Sequence, residues 1–308
     1  MRAIISALMM VGLVVGSAWA RPAGLFETLD QGGHTRSYYL FVPPEIAPDK
    51  KVPLVIALHG AGGDGQNMAR MTGFDRFARE YGMIIVYPDG IEHKWNDGRA
   101  EVHKDGPVDD TGFLLALIDR LATRLPVDRS RIYVTGFSNG GGMTQWMACQ
   151  AADKIAAIAV VGRTLHEPMR KQCNPARPLP VLFILGEDDP VVPYAGGAQP
   201  ISTTPNMTTL SGPDSAAFWA QKAGAANKPG RKLLKDARDD GTRVTRYTHD
   251  PAKKGGPPVV LYAIDGGGHT WPRGFNALDP EIVGVTSRDL HASKLVLTWL
   301  AQFRLPSN

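Results

Sequence analysis

Gly136-Phe137-Ser138-Asn139-Gly140 follows the apolar run Arg131-Ile132-Tyr133-Val134-Thr135 and precedes a stretch with helical spacing. The pattern predicts a strand, a tight turn and a helix, with a serine at the apex. The small residues on either side of the serine have a steric reason, because strand end and helix start approach so closely that larger side chains would meet backbone. Such a turn lifts the serine oxygen to the end of the sheet. It also aims unpaired helix N–H groups at the point where negative charge would develop on an attacked carbonyl. A Ser-Asn-Gly turn without chemistry gives the same pattern, so the rest of the chain has to decide between them.

Outward from this pentapeptide the chain alternates between strand and helix signals. Gly33 to Val42 is β-rich and ends at Pro43-Pro44, an early edge hairpin or strand. Val52 to Leu58 is continuously apolar, as expected of a strand buried on both faces, and Met83 to Tyr87 is the next such run. Between them a helix is expected to turn Met68, Met71, Phe74 and Phe77 inward. A long polar loop runs from Pro88 to Asp110, and a helix over Phe113 to Leu125 follows, with Asp109 or Asp110 as its N-cap. Behind the serine, Met143, Trp146 and Met147 read as core packing. Ile155–Val161, Val181–Leu185, Thr242–Thr248 and Val259–Ile264 continue the strands, and Leu290 to Phe303 closes the chain as a helix. No internal repeat or low-complexity linker interrupts the alternation. The expectation is one α/β domain over residues 21–308, with a largely parallel central sheet and helices on both faces.

In open α/β sheets chemistry gathers just past the carboxyl ends of the strands. Four places qualify: the glycine-rich turn after Leu58, Ser138, the acidic pair Asp188-Asp189, and His269. Taken singly, the acids could be turn residues and the histidine a satisfied loop residue. Together they follow the order Ser, Asp, His, which is the chain order of an α/β-hydrolase catalytic triad. Gly60-Ala61-Gly62-Gly63-Asp64-Gly65 formally matches a dinucleotide fingerprint, with Asp89 beyond it. That reading leaves Ser138 and His269 unexplained, and strand-like sequence precedes the motif. The glycines are better accounted for as freeing the backbone N–H of Ala61 to join that of Asn139 in an oxyanion hole.

Composition sets further bounds. The chain has 308 residues, 43% hydrophobic and 21% charged, enough for a sizeable core. Arg2, the apolar run Ala3 to Val15 and the small-x-small site Ala18-Trp19-Ala20 read as a signal peptide over residues 1–20. A membrane anchor is the competing reading, disfavoured by the short run. The expected location is therefore secreted or periplasmic. The formal charge of +4 is mild and scattered, so no nucleic-acid partner is expected, and no protein partner is implied. Cys149 and Cys173 are the two cysteines. Export favours their oxidation to a disulfide, against two free buried thiols. Neither the cysteines nor the eight histidines show metal-ligand spacing, and no cofactor is called for.

Seven motifs carry a family resemblance. They are Leu58-His59-Gly60-Ala61-Gly62-Gly63, Tyr87-Pro88-Asp89-Gly90, Trp95-Asn96-Asp97-Gly98-Arg99, Val108-Asp109-Asp110, Gly136 to Gly141, Asp189-Pro190-Val191-Val192-Pro193-Tyr194 and Gly267-Gly268-His269-Thr270-Trp271-Pro272. With them the chain resembles the polyhydroxybutyrate depolymerase and feruloyl esterase-like family of carbohydrate esterases, within the α/β-hydrolase superfamily. The resemblance implies Ser138 as nucleophile, His269 as base, and Asp189 rather than Asp188 as the acid. It also implies that Trp95 and Trp271 line the acyl or alcohol pocket. Many relatives carry further cysteines in the last third, where this chain has Gly224-Ala225 and Pro251-Ala252.

The expected activity is carboxylic ester hydrolysis by two-step acyl transfer. Hydroxyalkanoate (3-hydroxybutyrate) oligomers or polymer are the leading substrates. Feruloyl or acetyl-xylan esters of plant cell walls are the alternative. A peptidase on the same fold, or a binding protein without catalysis, stands further off.

Overall fold

A computed structural model describes residues 24–99, 103, 106–199, 207–276 and 278–306. The signal peptide read at 1–20 lies outside the described residues.

Alternating exposure along Leu25–Gln31 (β1) and His34–Phe41 (β2) makes an antiparallel hairpin at one edge of the sheet. Then come Val52–Leu58 (β3), Gly65–Thr72 (α1), Phe74–Tyr81 (α2), Ile84–Pro88 (β4), Asp110–Arg124 (α3), Val127–Phe137 (β5) and Asn139–Gln150 (α4). Ala157–Val161 (β6), Glu167–Gln172 (α5), Val181–Gly186 (β7), the short pair Gly197–Ala198 (β8) and Thr208–Thr209 (β9), and Gly212–Ala223 (α6) follow. The chain closes with Gly230–Leu233 (β10), Arg243–His249 (β11), Val259–Asp265 (β12), Pro280–Val283 (α7) and Ala292–Leu300 (α8). Ten strands form one sheet in the order β1-β2-β4-β3-β5-β6-β7-β12-β11-β10. Its six central strands, β4 to β12 in that order, are parallel, and the two strands at each edge run antiparallel.

The continuous apolar runs are explained by two cores, one on each face. Leu54, Ile56 and Leu58 of β3 point into the first, with Phe113 of α3, Met143 and Met147 of α4 and Trp219 of α6. Val55 and Ala57 point into the second, with Phe74 and Phe77 of α2 and Val296 and Leu300 of α8. Successive side chains of a strand face opposite ways, so a strand covered on both sides has no polar position to show.

One expectation is corrected and two are made more specific. The helix expected over Met68 to Phe77 is two helices, broken at Gly73, whose φ of 58° ends α1 in a left-handed cap and starts α2 at a new angle. The last two strands are antiparallel to each other, and β10, too polar to stand out in the sequence, pairs outside them. The loop before α3 is not simply polar and solvated, since Trp95 and Asp97 in it have no exposed surface. Its end is settled too: Asp109 caps α3 by accepting from the Gly112 N–H, while Asp110 turns inward to Arg36 at 2.7 Å.

Cys149 and Cys173 form a disulfide. It ties the last turn of the helix that follows Ser138 to the end of α5, across a sequence separation of 24. By loop-closure entropy it contributes about 3 kcal/mol. No described helix is long and apolar enough to cross a membrane.

Candidate active site

Ser138 stands between β5 and α4 at φ 52° and ψ −120°, a conformation that costs a non-glycine residue about 1–3 kcal/mol. The fold holds it there through both sides of the turn. Its N–H donates to the Val161 carbonyl of the next strand at 3.0 Å, and its carbonyl accepts from Gly142 at 3.0 Å. The flanking glycines are demanded by close approach. A Cβ on Gly136 would lie 2.3 Å from the Gly140 carbonyl oxygen, and one on Gly140 would lie 2.3 Å from that of Leu58.

Asp189 and His269 follow β7 and β12, which are adjacent and parallel, so the sheet itself brings them together. Asp189 Oδ2 is 2.7 Å from His269 Nδ1. Its other oxygen accepts from the N–H groups of Val191 and Val192 at 2.8 and 2.7 Å. The carboxylate is thereby fixed in plane, and it accepts a hydrogen bond from the Nδ1–H of the imidazole, which leaves Nε2 as the basic nitrogen. The ring packs against Phe137 at 4.8 Å, and the His269 N–H donates to the Val283 carbonyl at 2.6 Å. Asp188 is exposed, in keeping with the choice of Asp189.

Ser138, Asn139, His269, Gly60 and Ala61 border one cavity of about 410 Å³, lined also by the apolar set Val191, Val192, Leu278, Ile282 and Val283. Among the described residues neither the Ala61 nor the Asn139 N–H has a hydrogen-bond acceptor. The loop that carries Ala61 is braced from behind. Buried His59 holds the Gly60 carbonyl through Nδ1 at 2.7 Å and accepts the Gly90 N–H through Nε2 at 2.9 Å. Burial pushes its pKa down, which favours the neutral ring this pairing requires.

The two tryptophans do not line the cavity. Trp95 is sealed beneath the Ala61 loop, its indole N–H donating to the His59 carbonyl at 3.0 Å. Trp271, 1% exposed, lies edge-on to Phe74 and donates to Ser293 Oγ at 2.9 Å. In both, the polar edge of a large ring is satisfied inside the protein, so the residue serves packing rather than contact with a ligand.

A buried cluster beside the serine escaped the sequence reading. The Asn139 side chain accepts the Trp95 N–H at 2.7 Å and donates back to the Trp95 carbonyl at 3.0 Å, clasping the start of α4 to the Trp95–Arg99 loop. Asp97, with no exposed surface, takes Arg99 Nε at 2.5 Å and lies 3.7 Å from Arg163. Gly142 makes room for it, since a Cβ there would stand 2.3 Å from Asp97 Oδ2. Burial opposes ionisation of Asp97, but the positive charges of Arg99 and Arg163 beside it help hold its pKa below the ordinary carboxylate value. One signal could have found this cluster: Arg163 lies just past the carboxyl end of β6, where functional residues gather in such sheets.

His166 completes the cluster as a neutral ring. Its Nδ1 accepts the Met169 N–H at 3.1 Å, capping α5, so the Nε2 proton faces the Asp97 carbonyl at 3.0 Å. Burial lowers its pKa to about 4 from 6.5. Between those values the unfolded chain binds the proton and the folded one does not, so this residue costs stability as pH falls from 6.5 towards 4, by about 3 kcal/mol in all. The expected outcome is that His166→Gln flattens the fall of melting temperature with acid across that window relative to the wild type. Identical slopes in the two proteins would rule out this account.

Comparison with known proteins agrees with the geometry. The family model described as "Esterase PHB depolymerase" matches residues 36–168. The "Putative esterase NocK" of Nocardia uniformis subsp. tsuyamanensis is 31% identical over 277 residues, which cover 87% of this chain and 80% of that protein. Feruloyl esterase B of Piromyces equi is 31% identical over 74% of this chain, a match spanning 41% of its own length. Among solved structures, the acetyl xylan esterase from Aspergillus awamori superposes with a TM-score of 0.57 at 16% identity, covering 90% of this chain and 99% of that one, a likeness of fold. With an elbow serine, a paired histidine and carboxylate at neighbouring strand ends, and these relatives, the chain belongs to the polyhydroxybutyrate depolymerase and feruloyl esterase-like family and is a carboxylic ester hydrolase of the α/β-hydrolase fold.

Proposed function

We propose that this protein is an exported serine esterase, its leader removed after Ala20, that hydrolyses short aliphatic esters of the 3-hydroxybutyrate oligomer type. The observation that carries the mechanism is the 2.7 Å pairing of Asp189 with His269 Nδ1 on the cavity that also holds Ser138. His269 Nε2 takes the proton of Ser138 as Oγ bonds to the ester carbonyl carbon. The carbonyl oxygen gathers negative charge and is met by the Ala61 and Asn139 N–H groups, each contributing about 3 kcal/mol at the transition state. The C–O bond to the alcohol breaks, and His269 returns the proton to the leaving oxygen. Water then repeats the sequence on the acyl-serine and releases the acid.

An aliphatic substrate is favoured because valine, leucine and isoleucine dominate the apolar lining, neither tryptophan is at hand to stack a feruloyl ring, and the one aromatic ring in the lining, Phe137, already packs against His269. A second reading, feruloyl or acetyl-xylan ester hydrolysis, is favoured by the name of the Piromyces relative. Rates on 3-hydroxybutyrate trimer, methyl ferulate and acetylated xylan fragments separate the two. The expected result is the highest kcat/KM on the trimer. A preference for either plant ester would transfer the assignment to the second reading.

A further inference from the structure

The cavity at Ser138 is lined by three cations, Lys94, Arg99 and Arg163, and by no Asp or Glu among the described residues. The two nearest carboxylates stand behind this lining: Asp189 faces His269, and Asp97 is enclosed beneath the arginines. Asp97 is also divided, with Oδ1 on Arg99 at 2.5 Å and Oδ2 shared between the Asn139 amide at 3.3 Å and Arg163 at 3.7 Å.

Arg163 is the less satisfied of the two. Its side chain is 4% exposed. One terminal nitrogen donates to Gln199 Oε1 at 3.2 Å, the other reaches the Met207 sulfur at 3.8 Å, and Nε has no partner among the described residues. A thioether is a poor acceptor, so a buried group with five N–H donors is left with one good neutral hydrogen bond and a distant carboxylate. Burial, and then repulsion from Arg99, lower its pKa to about 10, which leaves it charged at neutral pH. A guanidinium held this way on the wall of a substrate cavity has no hydrogen-bonded anion among the described residues, and a planar carboxylate is the group that matches its fork of donors.

We infer that Arg163 binds a free carboxylate of the ester substrate, so that the enzyme selects esters whose acyl or alcohol part ends in an acid. This rests on the esterase reading and narrows it. Such a substrate has an aliphatic body for Val191, Leu278 and Ile282 and a carboxylate for Arg163, as does the acid end of a hydroxyalkanoate oligomer or the half-ester of a dicarboxylic acid.

Two substrate pairs distinguish the sources. The 3-hydroxybutyrate dimer and its carboxamide place the charge on the alcohol part, and mono-p-nitrophenyl glutarate and its carboxamide place it on the acyl part. The expected result is a preference in kcat/KM of about tenfold or more for the charged member of one pair, the size of one charge-assisted hydrogen bond. Arg163→Gln should reduce that preference below about threefold, with Arg163→Lys retaining part of it. No preference in either pair, with p-nitrophenyl butyrate still hydrolysed, overturns the carboxylate site and leaves the esterase reading standing. A protein that hydrolyses none of the esters removes that reading, and binding then decides the site: 3-hydroxybutyrate should raise the melting temperature of the wild type and 3-hydroxybutyramide should not. Equal shifts overturn the inference. Should Arg163→Gln fail to fold, the wild-type preference and the melting shift decide alone.

Discussion

Alanine at position 138 lowers kcat on p-nitrophenyl butyrate by about 10⁶-fold, while the melting temperature stays within a few degrees of the wild type. The size follows from what the oxygen does. Without it there is no acyl-enzyme, and the oxyanion donors and the cavity can only assist direct attack by water, which leaves a residual about 10³–10⁴ above the uncatalysed rate. The stability expectation follows from the turn. Alanine keeps the Cβ, and the contacts that hold the strained φ of 52° are made by backbone, to Val161 and Gly142, and by the glycines, none of which the substitution touches. Loss of activity within tenfold of the wild type would remove Ser138 from its role. A large drop in melting temperature would mean that activity alone cannot be read from this variant, and labelling of the wild-type serine by a fluorophosphonate is then the deciding measurement.

Asparagine at position 189 lowers kcat by about 10⁴-fold with little effect on folding. Asp189 Oδ1 accepts from two backbone N–H groups, those of Val191 and Val192, so an asparagine must keep its carbonyl oxygen there. Its NH₂ is then forced into the place of Oδ2, against His269 Nδ1. Two donors cannot face each other, so the imidazole moves its proton to Nε2 and presents no lone pair to the serine. Asp188→Asn is the companion measurement: that side chain is exposed and should change kcat less than twofold. An equal loss in the two variants would remove the tautomer account.

Placement that depends on chain order and strand ends was legible in the sequence; placement that depends on tertiary pairing was not. Ser138, Asp189 and His269 each follow a strand recognisable by its apolar run, and parallel strands deliver such ends to one edge whatever their spacing in the chain. The doubly covered sheet was legible for the same reason, since β3, β4, β6 and β7 have no polar alternation. The disulfide was expected from two cysteines in a chain read as exported, and Cys149 and Cys173 are bonded. The tryptophans misled because a motif gives proximity and not direction: Trp95 is indeed beside the oxyanion loop, but its indole turns to the His59 carbonyl beneath it. Asp97 and Arg163 lie far apart in sequence and meet only because Gly142 leaves space between them and α4. No local pattern encodes that meeting.

The two walls of the cavity differ in how they are held. The side bearing Ser138, Asn139 and Asp97 is locked by the sheet, by paired hydrogen bonds and by glycines that tolerate no side chain. Another part of the rim is a four-residue helix and its flanks, with Leu278, Ile282 and Val285 each more than 40% exposed. Substitution at Leu278 or Ile282 removes little buried surface, whereas Val283 beside them is buried and gives its carbonyl to the His269 N–H. What the cavity accepts can therefore be altered at the exposed positions of one short helix while the turn that carries the serine stays as it is.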